Sequence, residues 1–402
     1  MKRTDRSARA VRLLCLAVAV AWLITPAVIG RSGVDAASFV ASGIQAREHP
    51  DQLFPRDDGR VGVEYLRSWC EAAKHPIQHC GPPGAPLTER FLPTYFVLPP
   101  PAIPIVMATN GLSPRAGVVA WRVVGAAACV LAAVALARLF SRNGVRWLAA
   151  TMVCLTPAVV ASTALGQSSP LLFLALVAPV VWAGLRRLAD ALLVLAVVLK
   201  AFPAVALVAL VSKERRRSLV SFVGGVALLT VFAIWVVGFD VALDWPRAAR
   251  DHGSNLSATS NLNVSAYLAL ERLRVPSSLG TAIVGLAVVG VACLLWRRRN
   301  QMTWPQMWAA LWVLALLASP QVWGHYLPLT VFALAVMMPQ GLPRWQPTMA
   351  AGAASVVGGL SLLTSSDVAK VLAPTLATAL VAASLYAIIQ ARSSAPYAPP
   401  SH

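Results

Sequence analysis

Charge is scarce in this chain: Asp, Glu, Lys and Arg make up 12% of its 402 residues, and only sixteen are acidic. No Walker motif, Rossmann glycine pattern or catalytic-triad spacing occurs, so a bound nucleotide or a soluble hydrolase triad has no visible seat. Paired CxxC motifs and HExxH are also missing, which leaves no strong metal-ligand spacing. Any activated group this chain handles must come from another source, and the membrane is the natural one.

Apolar sequence is plentiful. The chain is 57% hydrophobic and repeats apolar runs near the ~20 residues that a bilayer core requires, which predicts an all-α polytopic membrane protein of roughly 10 to 13 segments. A net charge of +18 would suggest nucleic acid in a soluble domain. Here the arginines fall in short clusters between apolar runs, the positive-inside pattern, so the expected partner is a lipid bilayer and not nucleic acid.

Topology follows from those clusters. The N-terminus predicts an uncleaved signal-anchor helix, with a cleaved signal peptide as the alternative. "SRNGVR" (141 to 146), "LRR" (185 to 187), "KERRR" (213 to 217), "WRRRN" (296 to 300) and "PRW" (343 to 345) are expected on the cytoplasmic side. Parity then requires 92 to 113, with its three consecutive prolines, to be re-entrant, strongly broken, or two short spans. Residues 189 to 212 should likewise enter and leave on the cytoplasmic side, turning at "LKAFP". Plain spans are expected at 116 to 139, 147 to 164, 170 to 185, 218 to 238, 278 to 296, 304 to 320, 325 to 340, 347 to 364 and 369 to 390. The result is one integrated transmembrane domain, 1–390, with a first extracytoplasmic loop at 31–91, a second at 239–276, and a disordered cytoplasmic tail at 391–402.

Eight of the sixteen acidic residues lie between 35 and 89, in the first outer loop. "DAASFVASGIQAREHPDQLF" has helical spacing with Phe39, Val40 and Ile44 on one side, and predicts an amphipathic helix along the membrane interface. Asp35 would stand at its start, either as a capping acid or as a general base at the edge of a membrane cavity. Cys70 and Cys80 are expected to pair as a disulfide in that loop; His75 and His79 between them also permit a metal site. Cys15, Cys129, Cys154 and Cys293 lie in apolar runs, as small hydrophobes do.

Lys200 stands in the middle of an apolar segment, where it either snorkels or meets an anionic partner such as phosphate. Arg122 poses the same choice. Gln167 in "LGQSSP" and His325 in "ASPQVWGHYLP" occupy polar turns at outer helix ends, facing water or substrate or satisfied within the fold. Asn263 and Ser265 precede an amphipathic run in the second loop.

The order of these signals resembles the GT-C superfamily of polyprenol-phosphate-sugar-dependent glycosyltransferases. Within it the chain is similar to glycosyltransferase family 87, which includes bacterial α-1,2-mannosyltransferases. The matching pieces are "VDAASFVASGIQAREHPDQLF", the "F-x-P-x-Y…LPPP" run with Tyr95, "GQSS", "LKAFP", "NVSAYLAL" and "SPQVWGHY". The family usually has Asn two positions after the Gln of "GQ", where Ser169 stands here.

The resemblance implies a GT-C-type fold in the plasma membrane with its active site facing outward. It implies transfer of a sugar, most often mannose, from a polyprenyl-phosphate donor to a glycolipid or glycan acceptor, with inversion. Asp35 would be the catalytic base, and Lys200, His325, Gln167, Asn263 and Tyr95 would bind substrate. No cofactor is required; some relatives use a divalent ion, though nothing here indicates one. An arabinose or other pentose transferase would share these features. The rival classes are a transporter or lipid flippase, which should carry coupling charges near the midplane and related halves, and an inactive scaffold in an envelope-assembly complex.

Overall fold

The computed structural model describes residues 34–48, 98–139, 156–211, 215–247, 263–338, 345–362 and 367–391, with isolated residues between 13 and 23 and at 50, 53 and 154. Over these residues the chain is an all-α polytopic membrane protein. The helices are α1 (Val34–Glu48), α2 (Ile103–Met107), α3 (Pro114–Leu139), α4 (Pro157–Leu165), α5 (Ser169–Val181), α6 (Arg186–Leu199), α7 (Arg216–Val237), α8 (Ala266–Arg272), α9 (Ser277–Arg298), α10 (Trp304–Ala318), α11 (Pro328–Met337), α12 (Trp345–Leu362) and α13 (Asp367–Gln390).

Proline and hydroxyl residues set several helix starts. The helices α4, α5, α10 and α11 each carry a proline in the first turn, where a backbone N–H would have no intrahelical partner. In an apolar surround each such N–H is costly to leave unpaired, so removing one favours the start. Thr303 caps α10 by accepting from Gln306 N, and Ser265 caps α8 by accepting from Leu268 N.

Helix length sorts with burial. The lipid-facing helices α7 and α9 have 22 residues each, about 33 Å, enough to cross a hydrocarbon core. Their apolar side chains point outward: Val220, Leu228, Trp235, Leu286 and Val289 are all well exposed. The inner helices α5 and α10 have only 13 and 15 residues, about 20 to 22 Å, and are buried almost throughout. A helix apolar on every side belongs in such a core. Phe173 stacks on Phe332 at 5.0 Å, and Trp308 Nε1 donates to the Leu176 carbonyl at 2.8 Å, locking α5 to α11 and α10. Gln306 Nε2 donates to the carbonyls of Ile388 and Ala391, satisfying the C-terminal end of α13.

Both broken segments are present. In the first, a 3-10 turn at Pro100–Ala102 leads into the five-residue α2 and a further turn at 108–112. In the second, α6 stops at Leu199, Lys200 is extended, and a 3-10 helix runs over Phe202–Val211. Pro203 lacks the N–H that would bond the Leu199 carbonyl, so an α-helix cannot continue. The expected spans agree with the observed helices to within a few residues wherever they are described.

The first loop differs from the expected surface helix. The helix α1 exists, but its Phe39 and Val40 are buried against protein, Phe39 with its ring 5.1 Å from that of Trp121 in α3. Asn110 Nδ2 donates to the Gly43 carbonyl at 2.8 Å, fixing the other side to the segment after α2. A Cβ on Gly43 would strike the Val106 carbonyl oxygen, so only glycine permits this approach. Helix α1 is therefore built into the bundle, which fixes where its first turn lies.

Candidate functional site

The second broken segment is a hairpin with arms of equal reach. Helix α6 has 14 residues, about 21 Å, and the 3-10 return has 10, about 20 Å. Arg186 and Arg215, at the two feet, line one cleft. Lys200 sits at the apex, on the opposite end from the arginines. Its ammonium lies 5.5 Å from the centroid of the Tyr326 ring, and Phe202 packs on the same tyrosine at 5.5 Å. A cation over an aromatic face is stabilised by up to about 2 kcal/mol when desolvated, which offsets part of the cost of a charge at this depth.

Tyr326 belongs to the 3-10 turn Gly324–Tyr326 between α10 and α11. His325 stands edge-on to Tyr326 at 4.6 Å, parallel to Trp323, and within electrostatic reach of Lys200. Its Nε2 is buried and has no hydrogen-bond partner among the described residues. A buried polar atom of this kind marks a place where a ligand or water completes the bonding.

Asn263 holds this turn in position. Its Oδ1 accepts from Ser265 N and Val322 N, both at 3.0 Å, and its Nδ2 donates to the Pro320 carbonyl at 3.1 Å. An isolated bridge pairs Asn263 with Trp323, and Val264 N donates to the Val322 carbonyl at 2.6 Å. One carboxamide thus ties the segment before α8 to the strand-like run before His325.

The "GQSS" turn joins the same end from another side. Helix α4 packs on the Gly324–Tyr326 turn and ends at Gly166, whose φ of 72° suits glycine. A Cβ there would strike Ala36 and come within 3.1 Å of Arg122 Cγ. Ala36 directly follows Asp35, the second residue of α1, so the first turn of α1 rests on the "GQSS" turn. Arg122 is only 2% exposed. The hydroxyls of Ser162, Ser168 and Ser169, which flank Gly166 in sequence, are buried and, like His325 Nε2, lack partners among the described residues.

The structure brings Lys200, His325 and Asn263 into one connected cluster, and through α4 it adds Gln167 and the backbone of Asp35. The Gln167 side chain is half-buried. Tyr95, Cys70 and Cys80 lie outside the described residues. Sequence reasoning missed Tyr326, Ser162 and Gly166. Tyr326 had a signal, an aromatic with a polar tip beside a histidine; the approach of Gly166 to Ala36 is a long-range contact with none. Among the described residues no three His, Cys, Asp or Glu side chains converge as metal ligands do.

Compared with known proteins, residues 96–320 match the family model of glycosyltransferase family 87. The match spans more than half of the chain, taking in Gln167, Lys200 and Asn263 but not Asp35 or His325. No curated protein and no solved structure matches.

Proposed function

Because the chain belongs to glycosyltransferase family 87, and is therefore a membrane glycosyltransferase, we propose that it moves mannose from a polyprenyl-phosphate donor to a glycolipid or glycan acceptor of the cell envelope. The fold would be of the GT-C type, and the transfer would occur at the outer face of the plasma membrane. Asp35 accepts the proton of the acceptor hydroxyl. The oxygen forms its bond to the anomeric carbon as the bond from that carbon to the phosphate oxygen breaks, and polyprenyl phosphate leaves with the electron pair. Attack from the side opposite the phosphate inverts the anomeric centre.

One observation carries this reading. Lys200, at the apex of the re-entrant hairpin, faces Tyr326 and His325 at the end of the bundle where α1 begins. A positive charge fixed there stabilises the charge gathering on a departing phosphate, and His325 Nε2 supplies a further polar contact. Asn263 acts as a positioning residue for that turn, and Gln167 contacts the sugar or acceptor. The chemistry requires no metal.

The test is Asp35→Asn assayed in membranes with radiolabelled polyprenyl-phosphate mannose. Transfer should fall by about 100-fold or more with the protein still folded. Unchanged transfer would remove Asp35 as the base, and no transfer by the unmodified protein from any polyprenyl-phosphate sugar would remove the donor class.

A further inference from the structure

The end of the bundle opposite Lys200 holds a second polar feature that the transfer chemistry does not use. Pro179, Trp182, Arg186, Asp190, Arg215 and Trp304 are among the residues lining a narrow cleft there. It lies where α5 ends, α6 begins, the 3-10 helix returns and α10 begins.

Three observations give the cleft a chemistry. Arg186 is exposed at its rim, and the Arg215 guanidinium stacks on the Trp304 ring at 3.9 Å, which orients its N–H edge in a fixed plane. Trp304 Nε1 is buried and has no partner among the described residues, whereas its neighbour Trp308 donates to the Leu176 carbonyl. Donors therefore dominate among the described residues of the cleft, where Asp190 is the one carboxylate. Just beyond it, Arg216 and Arg217 open α7, and the exposed Val220 and Val223 continue down the lipid-facing side.

An anion with hydrocarbon chains fits this layout. We propose that the cleft binds the headgroup of an anionic phospholipid at the cytoplasmic surface, the side to which clustered arginines are drawn. The phosphate meets Arg186, Arg215 and Trp304 Nε1; a headgroup hydroxyl donates to Asp190; the acyl chains lie along α7. A lipid seated there pins both feet of the hairpin whose apex carries Lys200. The site does not depend on the transfer reaction, so its failure would leave the proposed function standing.

The experiment is native mass spectrometry of the full-length protein in detergent with phosphatidylglycerol, phosphatidylcholine or inorganic phosphate added. Phosphatidylglycerol should be retained at least about fivefold more than phosphatidylcholine. Trp304→Phe, which keeps an aromatic face under Arg215 and removes the donor, should lower that retention by about fivefold, as expected for one hydrogen bond. Arg186→Gln, at an exposed position that folding tolerates, should lower it by a similar factor, while Arg247→Gln in the outer segment should not. Equal retention of the two lipids, unchanged retention in both cleft variants, or an equal loss in Arg247→Gln would overturn the proposal. Inorganic phosphate displacing the lipid at equal concentration would overturn the lipid as ligand.

Discussion

The Lys200 ammonium lies 5.5 Å from the centre of the Tyr326 ring, although the two residues are carried by different membrane segments. The lysine holds the apex of a hairpin, and the tyrosine closes the turn between α10 and α11. The contact fixes the distance between those elements with one charge.

Lys200→Met should lower sugar transfer by about 100-fold, the usual loss when one preorganised charge is removed from a transition state. Thermal stability should hold or rise, because the variant no longer keeps an ammonium at membrane depth. Tyr326→Phe preserves the ring face and should stay within about twofold of the parent rate. A fully active Lys200→Met, measured in the radiolabelled transfer assay, would separate the lysine from the leaving phosphate.

Gly166→Ala should destabilise the fold by about 1 to 3 kcal/mol, combining an unfavourable positive φ with a collision against Ala36. Because Ala36 follows Asp35, activity should fall further than the stability loss accounts for. Adding Ala36→Gly removes the collision but not the φ cost and should restore part of the activity. Melting curves and transfer rates on the two variants check both statements, and a double variant no better than the single one would refute the collision.

Asn263→Ala strands two backbone N–H groups and one carbonyl, so a loss of about 2 to 4 kcal/mol is expected. Asn263→Asp keeps the acceptor for Ser265 and Val322 but, when ionised, sets a buried carboxylate oxygen against the Pro320 carbonyl, so it should be milder than Asn263→Ala only at low pH, where the protonated acid donates to that carbonyl. If the two variants melt alike at low pH, the carboxamide oxygen is not the main tie.

Much of the fold was legible because the cost of burying charge in lipid is written directly into the sequence. The arginine clusters fixed the parity that predicts a turn at "LKAFP", and Pro203 explains the break at Lys200. The difference between inner and outer helices was hidden. "SPLLFLALVAPVV" in α5 and the apolar run of α7 are both apolar enough to read as spans, because lipid and a protein core are equally apolar solvents. Burial of α1 was hidden for a related reason: its alanines and glycine, small enough to be enclosed, contribute little to an amphipathic pattern.

The cluster at the hairpin apex was legible at Lys200 and His325, since each is costly in an apolar setting without a partner. Its framework was not. Asn263 read as a substrate contact, but its side chain is engaged with three backbone groups 57 to 59 residues away or next in the loop. Such pairings depend on tertiary placement that no local pattern encodes.

The short arms of the hairpin have a consequence for depth. An arm of about 21 Å rising from the basic surface ends well short of the far side of a hydrocarbon layer about 30 Å thick. Lys200, at the end of that arm, therefore stands roughly 10 Å short of the opposite face of such a layer. In the proposed reaction, the acceptor hydroxyl would then have to reach down to that depth to meet the donor sugar.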